Sequence, residues 1–372
     1  MEKFLVLVDP IGVFQSNSMD TVERHEFYIK KLNEISNNSY KLIVLTRGNE
    51  KNYESQFIKL VNLNGRYRFS ICYHASLIRY IKPFRDKIHL ILAGDLWEST
   101  FTARFLRKTL KINVPIQSQL HADIGDPGWM NHGLIRRIRL LSTERFIKGI
   151  DGIRFVSEGQ LERFNSKLSW NGFNVVAPVP SPSILLNKSI GKHPLPKSIG
   201  FLGRIHKDRG IDEFVRVCEI LLKSNSDLQI VVAGDGPDRE SFITNLKLRT
   251  TNLTYLGFLK DERLREFWIA TGILINVAPS ESYGRSMREA LTNFIPVLAI
   301  ATPETVILQD KVGNDAIEIF DPTNEVEIAS KFEKLLLGKV SETKLESIFK
   351  EQEKSIVDLV NSWLKLIGKY EK

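Results

Sequence analysis

Apolar residues in this chain come in short continuous runs rather than in strict alternation with polar ones. The first half holds FLVLV (4–8), KLIVLT (41–46), IHLILAG (88–94), PIQSQLH (115–121), GIRFVS (152–157) and NVVAPV (174–179). SIGFLG (198–203), LQIVVAG (228–234), LTYLGF (253–258), GILINV (272–277) and PVLAIA (296–301) follow. Continuous β-rich runs predict parallel strands covered on both faces, because neither side of such a strand meets water. Amphipathic helical patterns lie between most of them, for example at 208–224 and 236–249. Strand alternating with helix predicts an α/β chain with parallel sheets. Beyond about residue 323 the pattern turns all-helical. There Ile356, Val357, Leu359, Val360, Trp363, Leu364 and Ile367 recur at helical spacing, and such a face needs a partner surface.

The stretch PVPSPSILLNKSIGKHPLPK (178–197) breaks the alternation with five prolines. It reads as an interdomain linker, and a length of 372 residues suits two domains. The expected division is 1–178 and 179–345, with a C-terminal helix at about 346–372 crossing back to the first domain.

Composition narrows the class. Hydrophobic content of 42% and charged content of 26% are those of a soluble globular protein. No run of eighteen apolar residues exists, so no transmembrane helix is expected. The start, MEKFLVLVDP, is too short an apolar run for a signal peptide and reads as a first strand. Cys72 and Cys218 lie far apart in apolar runs, outside any metal or redox spacing. Core packing in a reducing cytoplasm is expected of both. The formal net charge is +8, and residues 101–150 hold nine Lys/Arg against three Asp/Glu. Such a basic region invites an anionic partner. Nucleic acid is disfavoured, since the run lacks interleaved aromatics or a known module.

In parallel α/β sheets, ligands bind at the carboxyl ends of strands. Four stretches fall there. In SIGFLGRIHKDRGIDEF (198–214), Gly203 allows close backbone approach. Arg204, Lys207 and Arg209 supply charge that suits a diphosphate. In VVAGDGPDRE (231–240), Gly234 and Gly236 make a glycine turn ahead of a helix. In APSESYGRSMREALTNFIPVLA (278–299), Glu281 and Glu289 have seven residues between them, Gly284 among these. A helix starting near Arg285 would aim its amides at a phosphate, with the carboxylates accepting from sugar and ribose hydroxyls. In PIQSQLHADIGDPGW (115–129), His121 ends a buried strand. No Asp-x-Asp pair exists, so a metal-bound diphosphate is not expected, and neither is any metal or cofactor.

On these residues the chain resembles the retaining glycosyltransferases of family 4, which have the GT-B fold. The strand end at 203–204, the turn at 234–236, LTYLGFL (253–259), the Glu-x7-Glu stretch and DPTNEVEIASKFEKLL (321–336) form the match. VERHEFYIKKL, VPIQSQLHADIGDP and DGIRFVSEGQLERF match more loosely. The resemblance implies two Rossmann-like doubly wound domains facing each other across a cleft, the first on the acceptor side and the second binding the nucleotide-sugar. It implies that Arg204 and Arg209 hold the donor diphosphate, with Arg209 where the family has lysine and Lys207 able to share the role. Glu281 would contact the donor sugar and Glu289 the ribose. Amides around Tyr283, Gly284, Arg285 and Ser286 would approach sugar and phosphates, and His121 would lie beside the sugar. One departure is clear: the loop after the first strand, DPIGVFQSNSMDTVERH, has only Gly12 where the family has paired glycines.

The implied reaction is transfer of a sugar from a UDP- or GDP-linked donor to a glycan or lipid-linked oligosaccharide acceptor, with retention, in cell-surface polysaccharide biosynthesis. Helices at 96–111 and 133–148 would rest on an anionic membrane, placing the protein in the cytoplasm or on the inner face of the cell membrane. A non-catalytic GT-B partner and a sugar-nucleotide epimerase of the same fold are the alternatives.

Overall fold

Strand β1 (Lys3–Asp9) shows why the apolar runs are continuous. Phe4, Val6 and Val8 enter one hydrophobic layer, while Leu5 and Leu7 are buried on the opposite face. The computed structural model describes residues 2–14, 19–48, 51–63, 71–126, 129, 134–180, 194–259, 263–338 and 340–371. They divide into two units, Met1–Pro178 with Lys354–Lys372, and Val179–Glu353. Most of the proline-rich linker lies outside the described residues.

The first unit is built on an eight-stranded sheet. After β1 come β2 (Tyr40–Arg47), β3 (Tyr53–Glu54), β4 (Ile58–Leu63), β5 (Ile88–Ala93), β6 (Ile116–Leu120), β7 (Gly152–Phe155) and β8 (Phe173–Val176). Their order is β3-β4-β2-β1-β5-β6-β7-β8. Every pairing is parallel except that of the two-residue β3 with β4. Helices α1 (Met19–Ser36), α2 (Ile71–Ile81), α3 (Glu98–Leu110), α4 (Leu134–Ile147) and α5 (Glu158–Lys167) connect the strands.

The second unit repeats the plan with six strands: β9 (Ser198–Leu202), β10 (Gln229–Ala233), β11 (Leu253–Gly257), β12 (Ile273–Asn276), β13 (Val297–Ile300) and β14 (Ile317–Phe320). All pair in parallel, in the order β11-β10-β9-β12-β13-β14. The helices are α6 (Ile211–Ser224), α7 (Arg239–Lys247), α8 (Leu264–Ala270), α9 (Arg285–Thr292), α10 (Pro303–Val312), α11 (Glu325–Leu337) and α12 (Glu342–Tyr370). One hydrophobic layer holds Ile199, Phe214 and Phe332, and the other holds Trp268, Leu291 and Leu308.

The division at Lys354 falls inside α12. Leu345 and Ile348 from its first turns join the second unit's core. Its later residues complete the first unit, where Trp363 donates through Nε1 to Gln117 (2.8 Å) and Gln117 donates to Ser362 (3.0 Å). Trp363 also meets the Tyr28 ring edge-on at 6.2 Å.

Cys218 is buried, as core packing requires, but Cys72 is exposed. The expectation for Cys72 is corrected by helix phase: Tyr73 and Leu77 take the inward face of α2, and residue 72 falls outside it. Among the described residues, no helix is long and apolar enough to cross a membrane.

Candidate active site

In the second unit the chain adds β10 and β11 on one side of β9, then β12, β13 and β14 on the other. The strand order therefore reverses between β9 and β12, and the loops leaving those two strands flank a crevice of the kind that binds ligands in such sheets. The basic loop 203–210 follows β9, the glycine turn 234–236 follows β10, and the 277–284 turn follows β12. Three of the loops identified by sequence thus come together at the switch point.

Glycines allow the loops to touch. A Cβ on Gly234, where φ is +137°, would stand 1.8 Å from the Gly203 carbonyl oxygen. One on Gly236 would stand 2.1 Å from the Ile205 carbonyl oxygen, and one on Gly210 2.0 Å from that of Val277. Backbone hydrogen bonds fasten the same contacts: Gly203 N–H donates to Ala233 (3.1 Å) and Ile205 N–H to Asp235 (2.9 Å). Gly203 itself faces open space. The close approach expected there is made by Gly234 onto Gly203.

Across the switch point Arg209 Nη1 donates to Glu281 Oε1 at 3.3 Å. Asn276, the last residue of β12, lies 3.5 Å from the same oxygen and accepts from the Ala278 amide. Glu281 is buried, whereas Arg204, Lys207 and Arg209 are exposed. Among the described residues the side chains of Arg204 and Lys207 enter no ion pair, so their charge is open to an anion. Beside them the Asp208 carboxyl titrates below its usual range. Burial pushes it up, but the hydrogen bond and charge of His206 and the charges of Arg204 and Arg209 prevail.

The chain turns into α9 through Tyr283 and Gly284, the latter left-handed at φ +69°. A Cβ on Gly284 would stand 2.4 Å from the Met287 methyl carbon. Gly284, at the N-cap, has no side chain to cap this helix, whose first amides are those of Arg285 and Ser286. Glu289, one turn further on, is buried.

Arg288 has no counterpart in the sequence-based site, and the structure gives it a place. Its guanidinium is buried, sits 3.7 Å from the Tyr283 ring centroid and donates to the Tyr283 carbonyl. Nη2 donates to the buried Glu304 at 2.9 Å, and Glu351 lies 3.7 Å away. Desolvation opposes this charge, but Tyr283, Glu304 and Glu351 outweigh it and raise the pKa above the ordinary arginine value. Arg288 thereby fixes the turn that carries Glu281 and Gly284. Sequence offered one signal for it, a cation immediately before Glu289 in an otherwise buried segment.

His121 belongs to the first unit, just beyond β6. Its Nε2 lies 3.1 Å from Gln119 Oε1, which also faces Arg154 Nη1 at 3.4 Å. Arginine can only donate, so the Gln119 atom is the oxygen, Nε2 carries the proton and Nδ1 is left as an acceptor. Desolvation by the surrounding protein, then the charges of Arg154 and Arg24, depress the His121 pKa below the ordinary value. The ring keeps a solvent-exposed side, which limits that depression. In the loop after β1, Gly12 has φ +76° and donates to Asp9 at 3.2 Å. Burial raises the Asp9 carboxyl despite hydrogen bonds from Phe14, Thr46 and Gly12. Residues 15–18 of that loop lie outside the described residues. Among the described residues no group of three His, Cys, Asp or Glu side chains could hold a metal.

Comparison with known proteins agrees with this architecture. Residues 186–355 match the family model described as glycosyl transferases group 1. A 2-deoxystreptamine N-acetyl-D-glucosaminyltransferase of Niallia circulans is 24% identical over 250 residues, 60% of this chain and 63% of that relative's own length. A sucrose-phosphate synthase from Thermosynechococcus elongatus superposes with a TM-score of 0.66 at 15% identity, covering 99% of this chain and 97% of that one. Anabaena HepE, solved in complex with UDP and glucose, gives a TM-score of 0.65 at 13% identity, covering 98% of each chain.

Proposed function

We propose that this protein, whose residues 186–355 match the family model described as glycosyl transferases group 1 and whose fold is that of GT-B glycosyltransferases, is a hexosyltransferase using a nucleotide-diphosphate sugar. The donor is UDP- or GDP-linked, and the acceptor is a glycan or a lipid-linked oligosaccharide of cell-surface polysaccharide biosynthesis. The observation that carries the proposal is the meeting of Arg209 and Glu281 across the β9/β12 switch point, beside the N-terminus of α9.

Donor phosphates occupy the space between Arg204, Lys207 and the α9 amides. Arg209, released from Glu281, turns to the diphosphate, and Glu281 then accepts from sugar hydroxyls. Glu289 holds the ribose. His121 keeps the role the resemblance implies, with Nδ1 as its acceptor atom. The bond between the anomeric carbon and the donor phosphate oxygen breaks, and the acceptor oxygen bonds to that carbon on the same face. The acceptor proton passes to the departing phosphate. Fixed cations and helix amides stabilise the charge of the leaving nucleoside diphosphate without a metal ion.

The test is a thermal-shift panel of UDP, GDP and ADP, followed by transfer assays with the sugars of the stabilising nucleotide. Arg204→Ala and Glu289→Ala are each expected to cut transfer at least 100-fold, with retained product configuration in the native enzyme. Unchanged transfer in both variants would overturn the site.

Peripheral contact with an anionic membrane through 96–111 and 133–148 is a second proposal. It rests on α4, where Leu134, Ile135, Ile138 and Leu141 are exposed by 72%, 70%, 55% and 82% beside Arg136, Arg137 and Arg145. An exposed apolar row with flanking cations suits an interface where acyl chains meet anionic headgroups.

A further inference from the structure

A cavity lies wholly within the first unit. It is an open groove of about 1120 Å³ between α2 and α3. The walls follow from helix phase. On α2, Ala75, Ile78 and Arg79 recur three and four residues apart, with Lys82 just beyond the helix end. On α3, Phe101 and Phe105 are one turn apart. His74 forms the floor and meets the edges of both rings, with centroids 6.2 Å from Phe101 and 5.0 Å from Phe105. Phe101 and Phe105 stay 45% and 36% exposed, which is unusual for rings that have a groove to close.

The lining is apolar along most of its length and cationic at one end. Arg79 and Lys82 stand at the C-terminus of α2, and neither enters an ion pair among the described residues. The walls are helices, whose backbone groups are bonded internally. They offer an extended peptide no donors or acceptors, whereas a hydrocarbon chain needs none. From residue 74 to 82 the groove runs about 12 Å along α2.

We propose that this groove binds the hydrocarbon chain of a phosphate-headed lipid, with the phosphate held by Arg79 and Lys82. Phe101, Phe105 and Ile78 pack on the chain, and the arginine fork takes two phosphate oxygens. The site deepens the proposed membrane contact, because it captures a single chain rather than adsorbing to a surface. It does not depend on glycosyl transfer, and its test is scored apart from the nucleotide thermal shift.

The experiment is calorimetric titration of the full chain with decyl phosphate below its micelle concentration. Octyl glucoside serves as the probe without a phosphate and inorganic phosphate as the probe without a chain. We expect one decyl phosphate site, octyl glucoside binding at least tenfold weaker, and no competition from inorganic phosphate. Ala75→Trp fills the groove from an exposed helix position and should weaken decyl phosphate at least tenfold. The pair Arg79→Glu and Lys82→Glu should do the same while leaving octyl glucoside unchanged. Each variant must keep the native melting temperature and nucleotide response. No binding by the native protein, or native affinity in Ala75→Trp, overturns the proposal. So does a concentration-dependent dimer that Ala75→Trp abolishes, because the groove would then be filled by a second copy of the chain.

Discussion

Gly234 has a backbone that other residues rarely adopt, and it has no room for a side chain. Gly234→Ala must push the β9 and β10 loops apart to clear the Gly203 carbonyl. A loss of about 1–3 kcal/mol in urea unfolding is expected from the strain alone, together with a diminished nucleotide thermal shift. Arg288 makes a different case. Arg288→Met removes one partner of a buried ion pair and leaves Glu304 without its cation, which costs about 3–5 kcal/mol. Adding Glu304→Leu should restore much of that loss, since no charge then remains buried. Urea melts of the two variants distinguish a structural clamp from a surface ion pair. His121 predicts a pH effect. Its folded pKa lies below the unfolded value, so the stability associated with its neutral form is complete above the unfolded pKa. That stability is lost as pH falls from there towards the folded value. Thermal melts from pH 7.5 to 5 should fall less steeply in His121→Asn.

At the scale of elements, the runs that were continuous in sequence became parallel strands, covered on both faces in the sheet interiors and only partly buried at the edge strands β8 and β11. The strands that escaped notice broke that rule. In IKLVNL, the partly buried Lys59 and Asn62 interrupt the apolar run of β4, and in IEIF, β14 carries a charge in its middle. Glu318 is nonetheless buried, paired with Lys334 and within 4.0 Å of Lys331, so its ion pairs supply what an apolar residue would have. The candidate site divides similarly. Strand ends followed by glycine and cations are local, so the loops with Arg204, Lys207, Arg209, Glu281 and Glu289 were legible. The Arg209–Glu281 contact and the Arg288 clamp were not, because each depends on which strands are neighbours. The exposed row of α4 gives a prediction at this scale. Ile138→Glu with Leu141→Glu should abolish sedimentation with anionic vesicles at low salt. Stability should change by about 0.5 kcal/mol or less, since both positions are solvent-facing.

At the scale of the molecule, both sheets are doubly wound, and one continuous helix belongs to both units. A chain ending after Glu353 would strip Trp363, Leu359 and Leu366 from the first unit, along with the Gln117 partner. Removing a single buried tryptophan costs about 3–5 kcal/mol, so the truncated chain should show a first unit that melts earlier or not cooperatively. The second unit's own β9–β14 sheet is left whole by the cut.

The shared helix also sets an order in time. Ribosomes deliver residues 1–178 first, yet the segment that seals their core is made only after the whole second unit has emerged. Domains usually complete themselves from the N-terminus as they are synthesised. Here the first unit must wait, with the Tyr28 and Gln117 surface open, until Trp363 arrives. The second unit, whose last core residues on this helix are Leu345 and Ile348, has its full sequence before the first unit does.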